Sequence, residues 1–196
     1  MTALEIIRYP HPTLRHRSKS LKRVDKELKN IVQEMFELMY DARGIGLAAN
    51  QVDLPLRLFV INESGDPDQT DLERVFINPV IDSPKGTSEA EEGCLSLPGV
   101  HAQVARPAQI HVSAFDLVGN AIDFVADGLL GRAIQHEFDH IEGVMFIDRI
   151  SESSAKQLVG EIEAFALEFA SLRESGKIAD DESIAKRLAE IEAKYC

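Results

Sequence analysis

Apolar residues recur at helical spacing in the first part of the chain. Between Asp25 and Ala42 they lie three or four positions apart, at Leu28, Ile31, Val32, Met35, Leu38 and Met39. Residues with this spacing share one face of an α-helix, so the segment is predicted to be an amphipathic helix. Gly44 follows the last apolar position and is expected to end it.

Three further segments show the same periodicity. A second helix is predicted from about Leu129 to Glu142 and is closed by Gly143. The last part of the chain repeats Leu, Ile, Ala and Phe among Glu and Lys from Ser153 to Arg173 and from Asp181 to Lys194. This pattern predicts two more helices. Ser175-Gly176 is the expected break between them.

The stretches between the first two helices have the composition of β-strands. LRLFVIN (56 to 62) and RVFINPVI (74 to 81) are rich in β-branched and aromatic residues. QIHVSAFD (109 to 116) and AIDFVAD (121 to 127) flank Gly119-Asn120, which predicts a hairpin. Strands grouped between helices, without strict alternation, indicate the α+β class. One domain is expected, with residues 1–150 as its catalytic part and 151–196 as a helical extension.

Composition narrows the class of protein. The 196 residues are 44% hydrophobic and 28% charged, and no apolar run approaches the roughly 20 residues of a membrane span. No secretory signal is recognisable at the N-terminus, so we expect a soluble cytoplasmic protein without a membrane partner. The net charge of −12 argues against DNA or other nucleic acid as the main ligand. Neither Cys94 nor Cys196 is expected to form a structural disulfide in such a compartment.

The second predicted helix contains the sequence QHEFDH. Its residues His136 and His140 are four apart, so both imidazoles can reach one metal ion while Glu137 lies beside it. The alternative is a pair of surface histidines with a solvated glutamate. Much of this helix should be buried, because it carries apolar residues at Leu129, Leu130, Ala133, Ile134 and Ile141, and buried polar groups need partners, which favours the metal site.

Two histidines need a third protein ligand, and a catalytic site keeps a further position for water. The segment EEGCLSLPG offers Cys94, between Gly93 and Leu95. A lone cysteine often serves as a small buried hydrophobe, but the glycine and proline residues around this one constrain its backbone. A thiolate ligand favours Fe(II), Zn(II), Co(II) or Ni(II) over Mg(II) or Ca(II).

Three separated segments, GIGLAANQ (44 to 51), EGCLS (92 to 96) and QHEFDH (135 to 140), together resemble the signature motifs of the peptide deformylase family. The leading IIRYPHPTLR also resembles the start of that family. The resemblance implies antiparallel sheets packed around a central metal-binding helix. It also implies a hydrolase that removes the formyl group from the N-terminal methionine of new polypeptides and releases formate.

The resemblance further implies individual roles. Cys94, His136 and His140 would hold the metal, which in the family is Fe(II), and Glu137 would be the general acid and base. Iron bound by a thiolate is prone to loss through oxidation, so Zn(II), Ni(II) and Co(II) are the expected replacements. Gln51 and the backbone N–H of Leu95 would stabilise the oxyanion. Gly44 and Gly46 would let the substrate backbone approach closely.

Helical spacing suggests residues that contact the substrate side chain. Leu129, Arg132 and Ala133 share a face with His136 and, with Ile45, are predicted to wall a pocket for methionine. Arg132 would pack its stem there and reach water with its charge. The alternative is that Leu129, Arg132 and Ala133 only pack the core. Separately, Arg106 and Glu92 are predicted to form an ion pair that fixes the cysteine loop.

Two other functions stay open from the residues. A zinc endopeptidase shares the His-Glu-x-x-His pattern, and its third ligand would come from Glu142 or the acidic tail. A metal-binding protein without turnover is the other alternative. Docking on the ribosome is a further hypothesis: the tail, with ten acidic and six basic residues, suits it poorly. A basic N-terminal segment, including Arg15, Arg17, Lys19 and Lys22, suits it better.

Overall fold

The fold was analysed in a computed structural model, which describes residues 4–196. Its α-helices are α1 (Lys26–Asp41), α2 (Gly128–Ile141), α3 (Glu152–Glu174) and α4 (Asp181–Tyr195). All four agree with the predicted segments to within one or two residues at each end. The predicted break at Ser175-Gly176 is also present, because Gly176 adopts a positive φ of 74° after the end of α3.

Seven strands form two antiparallel sheets. The strands are β1 (Gly46–Ala48), β2 (Leu58–Ile61), β3 (Arg74–Lys85), β4 (Ser88–Cys94), β5 (Leu97–Arg106), β6 (Gln109–Phe115) and β7 (Ala121–Asp127). The larger sheet has the order β1-β2-β3-β6-β7, and β4 pairs with β5 alone. The α+β class is thereby confirmed, and so is the hairpin of β6 and β7.

The β4–β5 hairpin was not predicted from the sequence, and neither was the short strand β1. The hairpin sequence is short of large apolar residues, and Glu92 is the one buried residue of β4. The signal lies in β5, where Val100, Ala102 and Val104 alternate with exposed positions and face the core. Alternation of this kind is typical of a half-buried strand.

Helix α2 lies against the larger sheet. Its residues Ala133, Ile134 and Ile141 pack in one apolar cluster with Phe59 and Phe76 of the sheet. Helix α1 covers a second cluster beside β1 and β2. The β4–β5 hairpin closes a third cluster with Leu14 and Phe146. The metal-binding motif of α2 therefore lies in the interior, between the sheet and the hairpin.

The two C-terminal helices contact the rest of the chain unequally. Leu158 is the one buried residue of α3 and joins the cluster under the hairpin. Helix α4 buries Ile184, Leu188 and Tyr195, and the Tyr195 carbonyl accepts a hydrogen bond from the Lys22 N–H at 2.8 Å. Among residues 4–196, no helix combines the length and apolar character needed to cross a membrane.

Candidate metal centre and active site

Helix α2 places two histidines on one buried face. The His140 side chain is inaccessible to solvent and that of His136 is 12% exposed, with 5.0 Å between the ring centroids. Their spacing of four residues puts them on successive turns of the helix. His136 Nδ1 lies 3.0 Å from the Glu92 carboxylate, which leaves Nε2 for a metal ion.

The end of β4 brings the cysteine to these histidines. Cys94 Sγ lies 3.2 Å from His140 Nε2, and it accepts a hydrogen bond from the Ser96 N–H at 3.4 Å. Potential ligand atoms of Cys94, His136 and His140 all lie within 4.8 Å of one another. In the part of the chain that the structure describes, this is the one such group of three or more His, Cys, Asp or Glu side chains.

The surroundings of these donors favour a cation. Burial alone would lower the pKa of His136, but hydrogen bonds to Cys94 and Glu92 outweigh burial and raise this pKa to about 10. The negative charge of Glu92 thus stabilises a positive charge at this point. The pKa of His140 is well below its ordinary value, because of burial and then because of the charge on His136. Transition metals bind imidazole in its neutral form and cysteine as a thiolate, so a divalent ion would replace the His136 proton when it binds.

Glu137 lies beside this group and directly beneath β1. It is 4% exposed, and its Oε2 atom has no hydrogen-bond partner among the described residues. Burial raises the pKa of Glu137 to about 7, although the charges of His136 and Arg106 oppose the rise. A Cβ atom added at Gly46 would lie 2.5 Å from Glu137 Oε1, so this position requires glycine. A carboxylate with such a pKa can exchange protons near neutral pH.

Gln51 lies on the other side of the cysteine. Its Oε1 accepts a hydrogen bond from the Ala48 N–H at 2.8 Å, which turns the Nε2 group towards Cys94. Nε2 lies 3.4 Å from Cys94 Sγ and 3.4 Å from Ser96 Oγ. Gln51 is 1% exposed and lies in the 3₁₀ turn (Ala49–Val52) that follows β1. An amide N–H donor is therefore fixed beside the site.

A buried ion-pair network supports the ligands from behind. Arg106 donates to both oxygens of Glu92, at 2.7 and 2.9 Å, and to Asp139 at 2.8 Å. Glu92 in turn faces His136 Nδ1. Burial would raise the pKa of Glu92, but hydrogen bonds from His136 and Arg106 hold it well below the ordinary value. The predicted ion pair of Arg106 and Glu92 is thus present, and it orients a histidine ligand as well as the cysteine loop.

Arg132 differs from the prediction. Its guanidinium was expected to reach water, but the side chain is only 13% exposed and donates to Glu92 at 2.6 Å. It also donates to the carbonyl groups of Val104 and Ser88, at 3.0 and 2.8 Å. The reason is the β4–β5 hairpin, which covers this side of α2 and supplies these acceptors. Arg132 therefore ties α2 to the hairpin.

The remaining predicted residues line one cavity of about 690 Å³. It contains the metal group's Cys94 and His136, together with the other predicted site residues Gly44, Ile45, Gly46, Gln51, Leu95, Leu129, Arg132, Ala133 and Glu137. Leu129 is 54% exposed, so it does not simply pack the core. Ala133 is buried and also belongs to the apolar cluster of the sheet, so it contacts both the cavity and the core.

The alternative ligand, Glu142, lies elsewhere. Its two carboxylate oxygens pair with Arg57 and Arg17, and it does not belong to the metal group. This arrangement speaks against the endopeptidase reading. Asp139 is a residue that the sequence analysis overlooked: it is buried and accepts from Arg106 and Arg149. The available signal was a carboxylate next to the apolar and metal-binding positions of a helix predicted to be buried, because a buried carboxylate needs a partner.

Fold and site together define a class of protein: hydrolases with the His-Glu-x-x-His pattern on a buried helix and a cysteine as third ligand. The polypeptide deformylase family model matches residues 3–156. A peptide deformylase of Rhodopirellula baltica is 50% identical over 192 residues, which cover 98% of this chain and 95% of the relative. A peptide deformylase of Cellvibrio japonicus is 43% identical over 83% of this chain and 95% of its own.

Solved structures agree with these relatives. A peptide deformylase from Plasmodium falciparum superposes with a TM-score of 0.83 at 35% identity, over 85% of this chain and 98% of that one. One from Legionella pneumophila gives 0.77 at 37% identity, over 86% and 98%. The chain belongs to the polypeptide deformylase family. It is a hydrolase that removes the N-terminal formyl group from new polypeptides, and the resemblance seen in the motifs is confirmed.

Proposed function

We propose that Cys94, His136 and His140 hold one divalent cation, Fe(II) in the native enzyme. Zn(II), Ni(II) or Co(II) replaces it when the iron is lost by oxidation. The observation that carries this proposal is the closeness of the three donor atoms, within 4.8 Å, in a site that stabilises positive charge. One thiolate and two imidazoles neutralise half of the charge of a divalent ion and suit these metals better than Mg(II).

Glu137 is the general acid and base of the reaction. When bound, the metal ion lowers the pKa of a water molecule and polarises the formyl oxygen. Glu137 accepts a proton from the attacking water and then donates it to the departing amine, giving formate and a free N-terminus. Its raised pKa, its free Oε2 atom and its place beneath Gly46 support both transfers.

The Gln51 amide and the Leu95 backbone N–H stabilise the oxyanion that forms during the attack. The Gln51 side chain is already oriented by its bond to the Ala48 N–H, so it loses little conformational freedom on binding. Leu95 follows Cys94 in the turn between β4 and β5 and lines the same cavity. The fold thus positions both donors, one on a side chain and one on the backbone, before substrate arrives.

The substrate binds as an added strand along Gly44, Ile45 and Gly46. β1 is an edge of the larger sheet, and the opposite wall of the cavity is formed by β4. A peptide in this position can pair with an open strand edge. Its methionine side chain enters the pocket of Ile45, Leu129 and Ala133, with the aliphatic part of Arg132 as a further wall.

The enzyme acts in the cytoplasm, where new chains emerge from the ribosome. It has a single catalytic domain, which residues 151–196 extend. Contact with the ribosome would use the basic N-terminal segment. Arg15, Arg17 and Lys19 already pair with carboxylates, whereas Lys22 forms no salt bridge with any of residues 4–196. Ribosome pelleting that is unchanged after charge reversal at Arg15, Arg17, Lys19 and Lys22 would refute this contact.

The central experiment is formate release from formyl-Met-Ala-Ser by anaerobically purified protein, with metal content measured on the same sample. We expect release together with about one metal ion per chain, loss of both after chelation, and recovery with Fe(II) or Co(II). A sample that holds metal after reconstitution but releases no formate would refute the assigned roles. Cleavage of internal peptide bonds instead would point to an endopeptidase.

A further inference from the structure

The rim of the active-site cavity carries more positive charge than the protein as a whole. The exposed charged residues that line it are Arg8, Arg43 and Glu91. Deeper in the cavity, Arg132 and Glu92 pair with each other and contribute little net field. Arg8 pairs with Glu168 outside the cavity, so among the described residues the positive charge on the rim that has no ion-pair partner is that of Arg43, on a chain of net charge −12. Such a surface attracts anionic groups at the mouth of a cleft.

Arg43 occupies a position where helices usually have glycine. It follows α1 with a φ of 58°, its N–H donates to the Tyr40 carbonyl, and the Gly44 N–H donates to the Met39 carbonyl. This is the Schellman arrangement, whose left-handed residue is most often glycine. The backbone of Arg43 is therefore strained, because a residue with a Cβ atom rarely adopts a positive φ. No ion pair compensates for it among the described residues, so its guanidinium is available for a ligand.

The place of Arg43 along the chain relates it to the substrate. Gly46 lies over Glu137, where the formyl group reacts, and the backbone runs from there through Ile45 and Gly44 to Arg43. Residues 42–45 form a turn and a bend before β1, whereas three residues of a bound peptide in extended conformation span about 10 Å. A peptide aligned with this edge therefore has its methionine near Ile45 and its second or third residue near Arg43.

Arg8 extends the positive surface. Its guanidinium is 3.6 Å from Glu168, and the two side chains are 58% and 53% exposed. An exposed pair at this distance is weak and can exchange its partner. Glu91, in β4, is the one acidic residue exposed on the rim and opposes the effect of a single arginine.

We propose that this rim selects formylated peptides with an acidic residue at the second or third position, through Arg43 first and Arg8 second. The inference rests on the proposed binding of the peptide along Gly44 to Gly46. This selection explains why an arginine occupies a left-handed backbone position that glycine adopts with less strain. The same arginines repel peptides that have lysine at those positions.

The test compares kcat/KM for formyl-Met-Xaa-Ser and formyl-Met-Ala-Xaa peptides, with Xaa as Glu, Ala or Lys, in the metal-reconstituted enzyme. At low salt we expect Glu to exceed Lys by about 10-fold in at least one series, since each exposed pair changes affinity by up to about 5-fold. The ratio should fall below about 2-fold in 0.5 M salt, where the Debye length is only a few ångströms. Arg43→Glu should reverse the preference, and Arg43→Gly should reduce it while suiting the backbone.

The control is Arg74→Glu, because Arg74 is an exposed arginine that does not line the cavity. This variant should keep the wild-type ratio. Equal values for Glu and Lys peptides would overturn the proposal, as would a ratio that Arg43→Glu leaves unchanged or that Arg74→Glu alters equally. Absence of formate release from every peptide would instead refute the proposed function itself, so the two failures are distinguishable.

Discussion

Helices α2 and α3 contrast in how the rest of the chain surrounds them. Of the 14 residues of α2, eight are buried, including Glu137 and Asp139. Of the 23 residues of α3, only Leu158 is buried. The polar groups of α2 find partners on other elements, whereas α3 relies on local features such as its Ser151 cap. Function resides in the helix whose charged groups depend on distant residues.

The largest effect is expected from a substitution of a buried charged residue of α2, and this effect is on catalysis. Glu137→Gln keeps the shape of the side chain but removes its ability to carry the proton, so we expect formate release to fall by about 10³-fold. Bound metal should stay near one ion per chain, because Cys94, His136 and His140 are unchanged. Metal analysis and kcat on the same sample check both statements. Full activity in this variant would move the acid and base role to another group.

The next effect concerns the buried ion pairs behind α2. Arg106→Met leaves Glu92 and Asp139 without their shared partner in a buried site, and we expect a loss of about 3–5 kcal/mol in the free energy of unfolding. Urea denaturation measures it. The matched control is Arg173→Met in α3, where Arg173 is 27% exposed and its partner Asp181 is 75% exposed. That change should cost less than about 1 kcal/mol. Similar losses in both variants would contradict the contrast.

A third prediction separates the two sides of α3. Leu158→Ala removes the helix's one buried side chain and should lower the free energy of unfolding by about 2–3 kcal/mol. Val159→Ala, at the next position and 48% exposed, should change it by less than about 0.5 kcal/mol. Thermal or urea unfolding of the two variants checks this. An equal effect would mean that α3 is held to the fold in another way.

The smallest expected effect is a gain. Arg43→Gly relieves the left-handed backbone at the end of α1, and we expect stability to rise by about 1 kcal/mol. The melting temperature is the measurement. A decrease would show that the Arg43 side chain makes stabilising contacts, and would remove the argument that its position serves substrate selection.

Sequence reasoning recovered most elements because their signals are local. Periodicity located α1 to α4, and β-branched composition located β2, β3, β6 and β7. The apolar residues of α2 also predicted that much of this helix is buried, but periodicity did not indicate that α3 is almost entirely exposed. It also missed the β4–β5 hairpin, where the alternation in β5 is carried by small residues such as Ala102. Because this hairpin was not predicted, its contact with Arg132 could not be foreseen. The prediction that the Arg132 guanidinium reaches water was therefore wrong.

By itself, the sequence determined the α+β class, the spacing of the two histidines on one helix, and the three motifs that place the chain in its family. Only the tertiary structure decided which groups meet. Arg106 reaches Glu92 across 14 residues and Asp139 across 33, and Arg132 reaches Glu92 across 40. Periodicity describes one segment at a time. The partner of a buried charge is chosen by how separate segments pack, because a buried charge without a partner is too costly to keep.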